Sequence, residues 1–490
     1  VRDYYDWRSL SVTAASVGYA FWVYILPPTG GPFSTGKSVS KLPQSRLRAV
    51  PRCKEDEMSW RSRIAAVVLC VLCACGQEDP FSGFTAVQVQ QLKSLSPLPG
   101  VPADSTNRYA DNPSAAALGQ RFFFDRASAG PLGQSGVSGG LGMLGETGRV
   151  ACASCHIPQS WFIDTRSNPS NVSSGANGFQ TRNTTSLVNN IFYTWFNSNG
   201  GRDTQWIAGT AIEGASNANA TRLTLAHRIF NAYRAEYDAI FSPRLDPALD
   251  PNAPDHARFP PSGRPTDPVW QTMTPGDQLV VNTILANFAK AIGAYQRLLV
   301  SRGAPFDKWV AGSAGAVSEA AKRGARVFLG KGGCVSCHSG PTFTDNHFHN
   351  IGVPQTGPNI PATDEGRFGA INGLRSNMFN GGSQFSDDPA AGQAKLNPLT
   401  QNQSDRGAFR TASLRNIAQT APYLHTGGLA TLADVIDFYD QGGAAGGFEG
   451  TKEIGPLGLT AQEKSDLVAF LETLTGDPIP DNLRRDTSAP

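Results

Sequence analysis

The sequence has almost no excess charge: 42 Lys and Arg stand against 40 Asp and Glu, a formal +2. That balance removes the electrostatic reason to expect a nucleic-acid partner. No apolar run is long enough to span a bilayer as a helix, which takes roughly 20 residues. Nitrogen and thioether metal ligands are scarce, with seven His and four Met in 490 residues, and no His lies between positions 157 and 226. The remainder is 40% apolar, enough for the cores of two or three soluble domains.

The nearest approach to a membrane segment is Met58-Ser-Trp-Arg-Ser-Arg63 followed by the run from Ile64 to Cys75. Two Arg, about a dozen apolar residues and then small ones predict an export signal over 58–75. Leu72-Cys73-Ala74-Cys75 is similar to a bacterial lipobox, which makes Cys75 the expected anchor residue; plain secretory cleavage nearby is the alternative. Either way the protein is expected in the periplasm, lipid-anchored to the membrane in the first reading. Because export signals open a chain, Met58 is the expected start and residues 1–57 a non-native upstream extension. Cys53, Cys70 and Cys73 then leave with the processed part. No thiol remains for structural disulfides, although that compartment permits them.

Every cysteine after Cys75 falls in Cys152-Ala-Ser-Cys155-His156 or Cys334-Val-Ser-Cys337-His338. Two thiols at this spacing reach the two vinyl groups of one haem, and the adjacent imidazole falls on the iron. A pair of zinc half-sites is the competing reading, but a zinc ribbon separates its halves by roughly 15–20 residues and does not place His after both. Two covalently bound c-type haems are therefore expected, with His156 and His338 as proximal iron ligands.

Residues 76–112 lack lasting periodicity and read as a tether. Two mainly α, cytochrome c-like haem domains are expected to follow, over 113–301 and 302–480. Ala115–Asp125 predicts a helix holding Gly119 and Phe123, and Ala320–Leu329 one holding Gly324 and Phe328. In each, the glycine admits a second helix at close range and the Phe covers a haem edge. Trp161-Phe-Ile-Asp164 and Phe343-Thr-Asp345 occupy comparable places after the two motifs, so the chain carries a weak internal repeat. Leu279, Ile284, Phe288, Ile292, Tyr295 and Leu299 predict a long amphipathic helix, and Thr460-Ala-Gln-Glu463 a capping box opening a terminal one. Residues 372–408, rich in Gly, Asn, Ser and Gln, are expected as a surface loop.

Between Thr431 and Tyr439, the side chains of Leu432, Val435, Ile436 and Tyr439 share one helical face, so Tyr439 points inward. It is either an axial phenolate of the second haem or a core aromatic whose hydroxyl is hydrogen-bonded within the protein. The first haem has no imidazole nearby in sequence and is expected to keep an open distal face.

From 114 to 476 the chain resembles the bacterial di-haem cytochrome c peroxidases and their MauG relatives. The resemblance rests on Gly330 to Asp345, Phe348 to Pro354, Leu414-Arg-Asn416, Thr420-Ala-Pro-Tyr-Leu-His-Thr-Gly427 and Thr431 to Tyr439. In the first half it rests on Cys152 to His156 and on Arg182-Asn-Thr-Thr-Ser-Leu187. It implies hydrogen peroxide chemistry at the N-terminal haem. It also implies Tyr439 as the second haem's distal ligand, at a position that holds Met in the peroxidases and Tyr in MauG, and a calcium ion held by Asn183, Thr420 and the carbonyl of Pro422. The partner would be a small redox protein donor or a secreted protein substrate. A periplasmic di-haem electron-transfer cytochrome without peroxidase activity is the alternative.

The first pocket departs from the family pattern. The family's inter-haem Trp falls on Ser198 or Asn199, its Gln near Gly209, and its acid Glu within Asn217-Ala-Asn219. A peroxidase needs a group to move the first proton of peroxide. Trp195, Trp206 and Glu213 are the catalytic candidates to compensate. His349 and His425 match family motifs and read as orienting haem propionates or loops, and His227 and His256 as structural or exposed.

Overall fold

The structure, a computed structural model, describes residues 79–166 and 172–490. The expected extension 1–57 and the signal segment 58–75, with Cys75, lie outside the described residues. Seven helices frame two hydrophobic cores: α1 (Ala86–Ser94), α2 (Pro113–Phe124), α3 (Arg222–Ile240), α4 (Pro275–Gln296), α5 (Glu319–Leu329), α6 (Leu432–Asp440) and α7 (Ala461–Glu472). The rest of the described residues forms further helical stretches, among them Pro305–Val310 and Arg367–Ser376, with turns, 3-10 segments and two small antiparallel pairs. In one pair Ser174–Gly175 faces Gly178–Phe179; in the other Phe348 pairs with Arg410 and His349 with Phe409.

Local chemistry sets the helix starts. Asn112 accepts from the Ser114 and Ala115 amides ahead of Pro113, and Thr274 accepts from Asp277 ahead of Pro275. Capping boxes open α6 (Thr431 with Asp434) and α7 (Thr460 with Glu463). Each such cap contributes about 1 kcal/mol by satisfying amides that the helix leaves unpaired.

Two glycines decide how the helices pack. A Cβ placed on Gly119 of α2 would lie 1.9 Å from the Ala291 carbonyl oxygen of α4. One on Gly324 of α5 would lie 1.9 Å from the Asp466 carbonyl oxygen of α7. No side chain fits, so each helix pair crosses backbone to backbone. Four residues after each glycine comes a fully buried Phe. The Phe123 ring meets Tyr295 and Phe162 at 5.2 and 6.0 Å, and Phe328 meets Phe470 and Phe343 at 5.1 and 6.0 Å.

The first core gathers α2, α3 and α4 around Trp206, Tyr233 and Phe288, and the second gathers α5, α6 and α7 around Phe306, Trp309 and Phe343. Three stretches differ from the sequence reading. Within the expected tether, α1 has its own capping box, and Leu92 and Leu95 sink into the second core; two apolar anchors are too few to register as a period. Within 372–408 there are helical stretches, up to Ser376 and over Pro389–Leu396, while Phe379 and Phe385 enter the first core. This segment is a strap from the second half onto the first: Asp387 binds Lys290 of α4 at 2.7 Å and Arg108 at 2.5 Å. Finally, Leu279 is 45% exposed, so the buried face of α4 starts after it. Among the described residues no helix is long and apolar enough to cross a membrane.

Gly324→Ala should lower stability in a urea melt by about 1–3 kcal/mol, the usual range for overpacking. Gly373→Ala, with nothing within 4 Å of the added Cβ, should be neutral or stabilise slightly. Equal effects at both positions would show that the close crossing is not what limits the fold.

Candidate functional site

The two C-x-x-C-H motifs adopt the same local structure. Cys152–Ser154 and Cys334–Ser336 are single 3-10 turns, and each following His donates its backbone N–H to the first Cys carbonyl at 2.9 Å. Beyond them the chain turns back through a buried Phe in the left-handed region, Phe162 (φ 58) and Phe343 (φ 52). The carbonyl of each Phe accepts from the Nδ1–H of its histidine, His156 or His338, at 3.1 Å. This bond sets the tautomer and leaves Nε2 as the free ligand atom. Burial holds both imidazoles below the usual range, hence neutral, the form that binds a metal. Burial also pushes Cys152 up to about 12 and Cys155 and Cys334 up to about 11.

The repeat continues past the proximal loops. Asn189 (φ 60) and Asn416 (φ 62) donate their amides to Leu299 and Leu474, each just beyond α4 or α7. Then come two matching hairpin-like turns, bridged Phe196 to Arg202 and Tyr423 to Leu429, with Gly200 and Gly427 both at φ 68. Counting on from these glycines, Ile212 falls where Tyr439 falls in the second half. Ile212 is 8% exposed and has no atom that ligates iron. The Tyr439 phenol is pushed above its usual range by burial and by the neighbouring Cys334 and Cys337 sulfurs. No hydrogen bond to its hydroxyl exists among the described residues. The side chain as a whole is half-buried.

Two further groups fit haem. Arg202 Nε and Arg410 Nε and Nη1 are buried without a hydrogen-bond partner. Buried cations ordinarily pair with an anion, and haem propionates are carboxylates. In the register that pairs Asn189 with Asn416, Arg410 falls opposite Asn183, one residue after Arg182, which is satisfied by Asp364 through two 2.7 Å bonds. Arg410 was not picked out from sequence, and Phe162 and Phe343 were picked out only as part of the repeat, not for the carbonyls that hold the histidines. The parallel between Asn183-Thr-Thr-Ser-Leu187 and Arg410-Thr-Ala-Ser-Leu414 is the signal that could have found the arginine.

The catalytic candidates do not converge. Glu213 accepts from the Arg222 backbone amide at 3.0 Å and is clamped by its guanidinium at 2.6 Å, which occupies the carboxylate. Trp206 is buried in the first core, its Nε1–H donating to Thr106 at 3.1 Å. Trp195 lies half-buried under Arg367 and Lys395. Of the calcium trio, the Asn183 amide and the Pro422 carbonyl meet at 2.7 Å, while Thr420 donates to the Ile417 carbonyl instead. His349 bridges Asp345 (3.0 Å) and Glu453 (2.7 Å) beside Cys337. His425 stacks on Phe409 and meets Gln355 at 2.6 Å. His227 faces the carbonyls of Leu249, Phe259 and Pro260, and His256 is exposed.

Comparison with known proteins gives the class. The family model described as di-haem cytochrome c peroxidase matches residues 113–315. The chain is 32% identical to the cytochrome-c peroxidase IdrP1 of Denitromonas iodatirespirans, over 78% of this chain and 86% of that relative. It is 37% identical to the methylamine utilization protein MauG of Methylorubrum extorquens, over 38% of this chain and 44% of that relative. A solved structure, a MauG-like protein associated with microbial copper homeostasis, superposes with TM-score 0.52 and 25% identity, covering 80% of this chain and 97% of the other. The chain belongs to the di-haem cytochrome c peroxidase and MauG family. It is an oxidoreductase of the peroxide-using kind, and the family implies two c-type haems and a redox or protein partner.

Burial pushes the His425 imidazole down to about 4. Between that value and an unfolded value of about 6.5 the unfolded chain binds the extra proton, so stability rises with pH across the window. Acidification from pH 6.5 through 4 should remove about 3 kcal/mol through this residue. Urea midpoints of the parent and of His425→Gln at the two ends of the window check it; identical slopes would exclude His425 as the source.

Proposed function

We propose that hydrogen peroxide reacts at the haem held by Cys152, Cys155 and His156, and that the haem held by Cys334, Cys337, His338 and Tyr439 stores the resulting oxidising equivalents for a partner protein, as in MauG. The observation that carries this reading is the half-buried Tyr439 phenol, which lies beside the second pair of cysteine sulfurs and whose hydroxyl has no hydrogen-bond partner among the described residues. Haem iron, when bound, supplies the redox centre. The chain's own part is to orient it. Phe162 and Phe343 would aim the two histidines through their carbonyls, Arg202 and Arg410 would pair with propionates, and Ile212 leaves the first distal face without a protein ligand. A hard phenolate at the second site favours high oxidation states.

Reduction of peroxide with electrons from a small donor protein is the second reading, favoured by the name of the Denitromonas relative. In both readings the fold divides into cytochrome c-like units over 113–301 and 302–480. After rotation of the Asn183 amide and the Thr420 hydroxyl, these two side chains and the Pro422 carbonyl supply oxygens for a calcium ion. The chain is exported by the signal at 58–75 and lipid-anchored in the periplasm through Cys75.

Peroxide added to the purified holoprotein should change the optical bands of the haems. Unchanged bands at both would favour the pure electron carrier. Tyr439→Phe should alter the second haem's optical and paramagnetic spectra while leaving the first untouched; an unaltered second spectrum removes Tyr439 as a ligand.

A further inference from the structure

Trp195 stands in the segment that joins the first proximal loop to the buried run at Trp206, and two cations lie against its ring. The Arg367 guanidinium carbon and the Lys395 ammonium are each 4.4 Å from the ring centroid. Both are held independently of the indole. Arg367 is buried, donates to the Gly200 carbonyl at 2.8 Å and also lies 4.4 Å from the Phe348 ring. Lys395, in the last turn of the strap's Pro389–Leu396 helix, donates to the carbonyls of Thr194 and Asp203. A neutral indole is attracted to cations over its face. Oxidation reverses that: one electron leaves the indole, the oxidant gains it, and the radical cation now repels both neighbours across a partly desolvated contact.

We propose that Lys395 and Arg367 shield Trp195 from oxidation, so that oxidising equivalents made at the haems bypass this indole and stay available to substrate. Lys395 acts through its charge and position, not on the reacting atoms. The strap thereby has a second role besides tying the two halves together. The shielding is also titratable. Burial, the largest influence, pushes Lys395 down to about 8; Asp203 and Asp104 raise it, and Arg367 lowers it further. Arg367 is depressed only to about 10, so near neutral pH both cations are present, and Lys395 is the first to be lost as pH rises.

The proposal rests on the peroxide-using activity, so its test needs an oxidant that works without the haems as well. Holoprotein is treated with hydrogen peroxide in one arm and with photogenerated tris(bipyridine)ruthenium(III) in the other. Peptide mass spectrometry then reads hydroxytryptophan, which forms when the indole takes up one water and loses two electrons and two protons. Trp161 is the internal reference, half-buried and with no cation over its ring among the described residues. Lys395→Met should raise oxidation at Trp195 relative to Trp161 by about tenfold near neutral pH, and Lys395→Arg should not. Near pH 9.5 the parent should approach the Met variant while the Arg variant stays protected, since only Lys loses its charge there. The pH series on the parent needs no variant to fold. Equal Trp195 oxidation in parent and Lys395→Met with both oxidants, and no pH dependence in the parent, would overturn the shielding. A difference in the ruthenium arm alone supports it and counts against the peroxide reading instead.

Discussion

Each half of this molecule depends on one contact in which two helix backbones touch at a glycine. At Gly119 and Gly324 the facing carbonyl oxygen sits where a Cβ would be. Close crossing brings the Phe one turn later onto an aromatic of the partner helix, Tyr295 or Phe470. It also brings the residues just after that helix, Leu299 and Leu474, to the amides of Asn189 and Asn416. The walls of both candidate pockets are therefore attached to the crossing. A shift of the helices would move the proximal loop and the distal segment together.

On this repeated frame the two halves differ in a few side chains with chemical consequences. The position that carries Tyr439 in the second half carries Ile212 in the first. Asn183 donates to the Pro422 carbonyl, whereas its counterpart Arg410 has guanidinium nitrogens buried without a hydrogen-bond partner. The strap that buries Phe379 and Phe385 reaches only from the second half to the first, and it brings Lys395 to Trp195. An internal repeat makes such differences readable, because the same backbone has been given two sets of donors and acceptors.

Much of the frame was legible in the chain. Helices at Ala115 and Ala320, the glycine and Phe on each, and the Thr460 capping box follow from local rules that need no long-range contact. The inward face of the helix bearing Tyr439 follows from its period. What was not legible depended on distant partners. The strap reads as loop because Phe379 and Phe385 bury against residues far earlier in the chain, and α1 reads as tether because its two leucines bury against residues far later. Glu213 is an acid candidate by residue type until Arg222 is seen to hold it. The Phe162 and Phe343 carbonyls leave no mark on residue identity, since any residue has a carbonyl.

By itself the sequence determined the chemistry on offer: two C-x-x-C-H motifs, few other ligands, and the helices that flank them. Those are matters of residue type and short spacing. Only the tertiary structure decided which groups are left wanting a partner. Among the described residues the Tyr439 hydroxyl, Arg202 Nε and Arg410 Nε and Nη1 have no hydrogen-bond partner, while Glu213 is held by Arg222. Whether a polar group is paired depends on what the rest of the chain brings to it, and burial turns that difference into free energy.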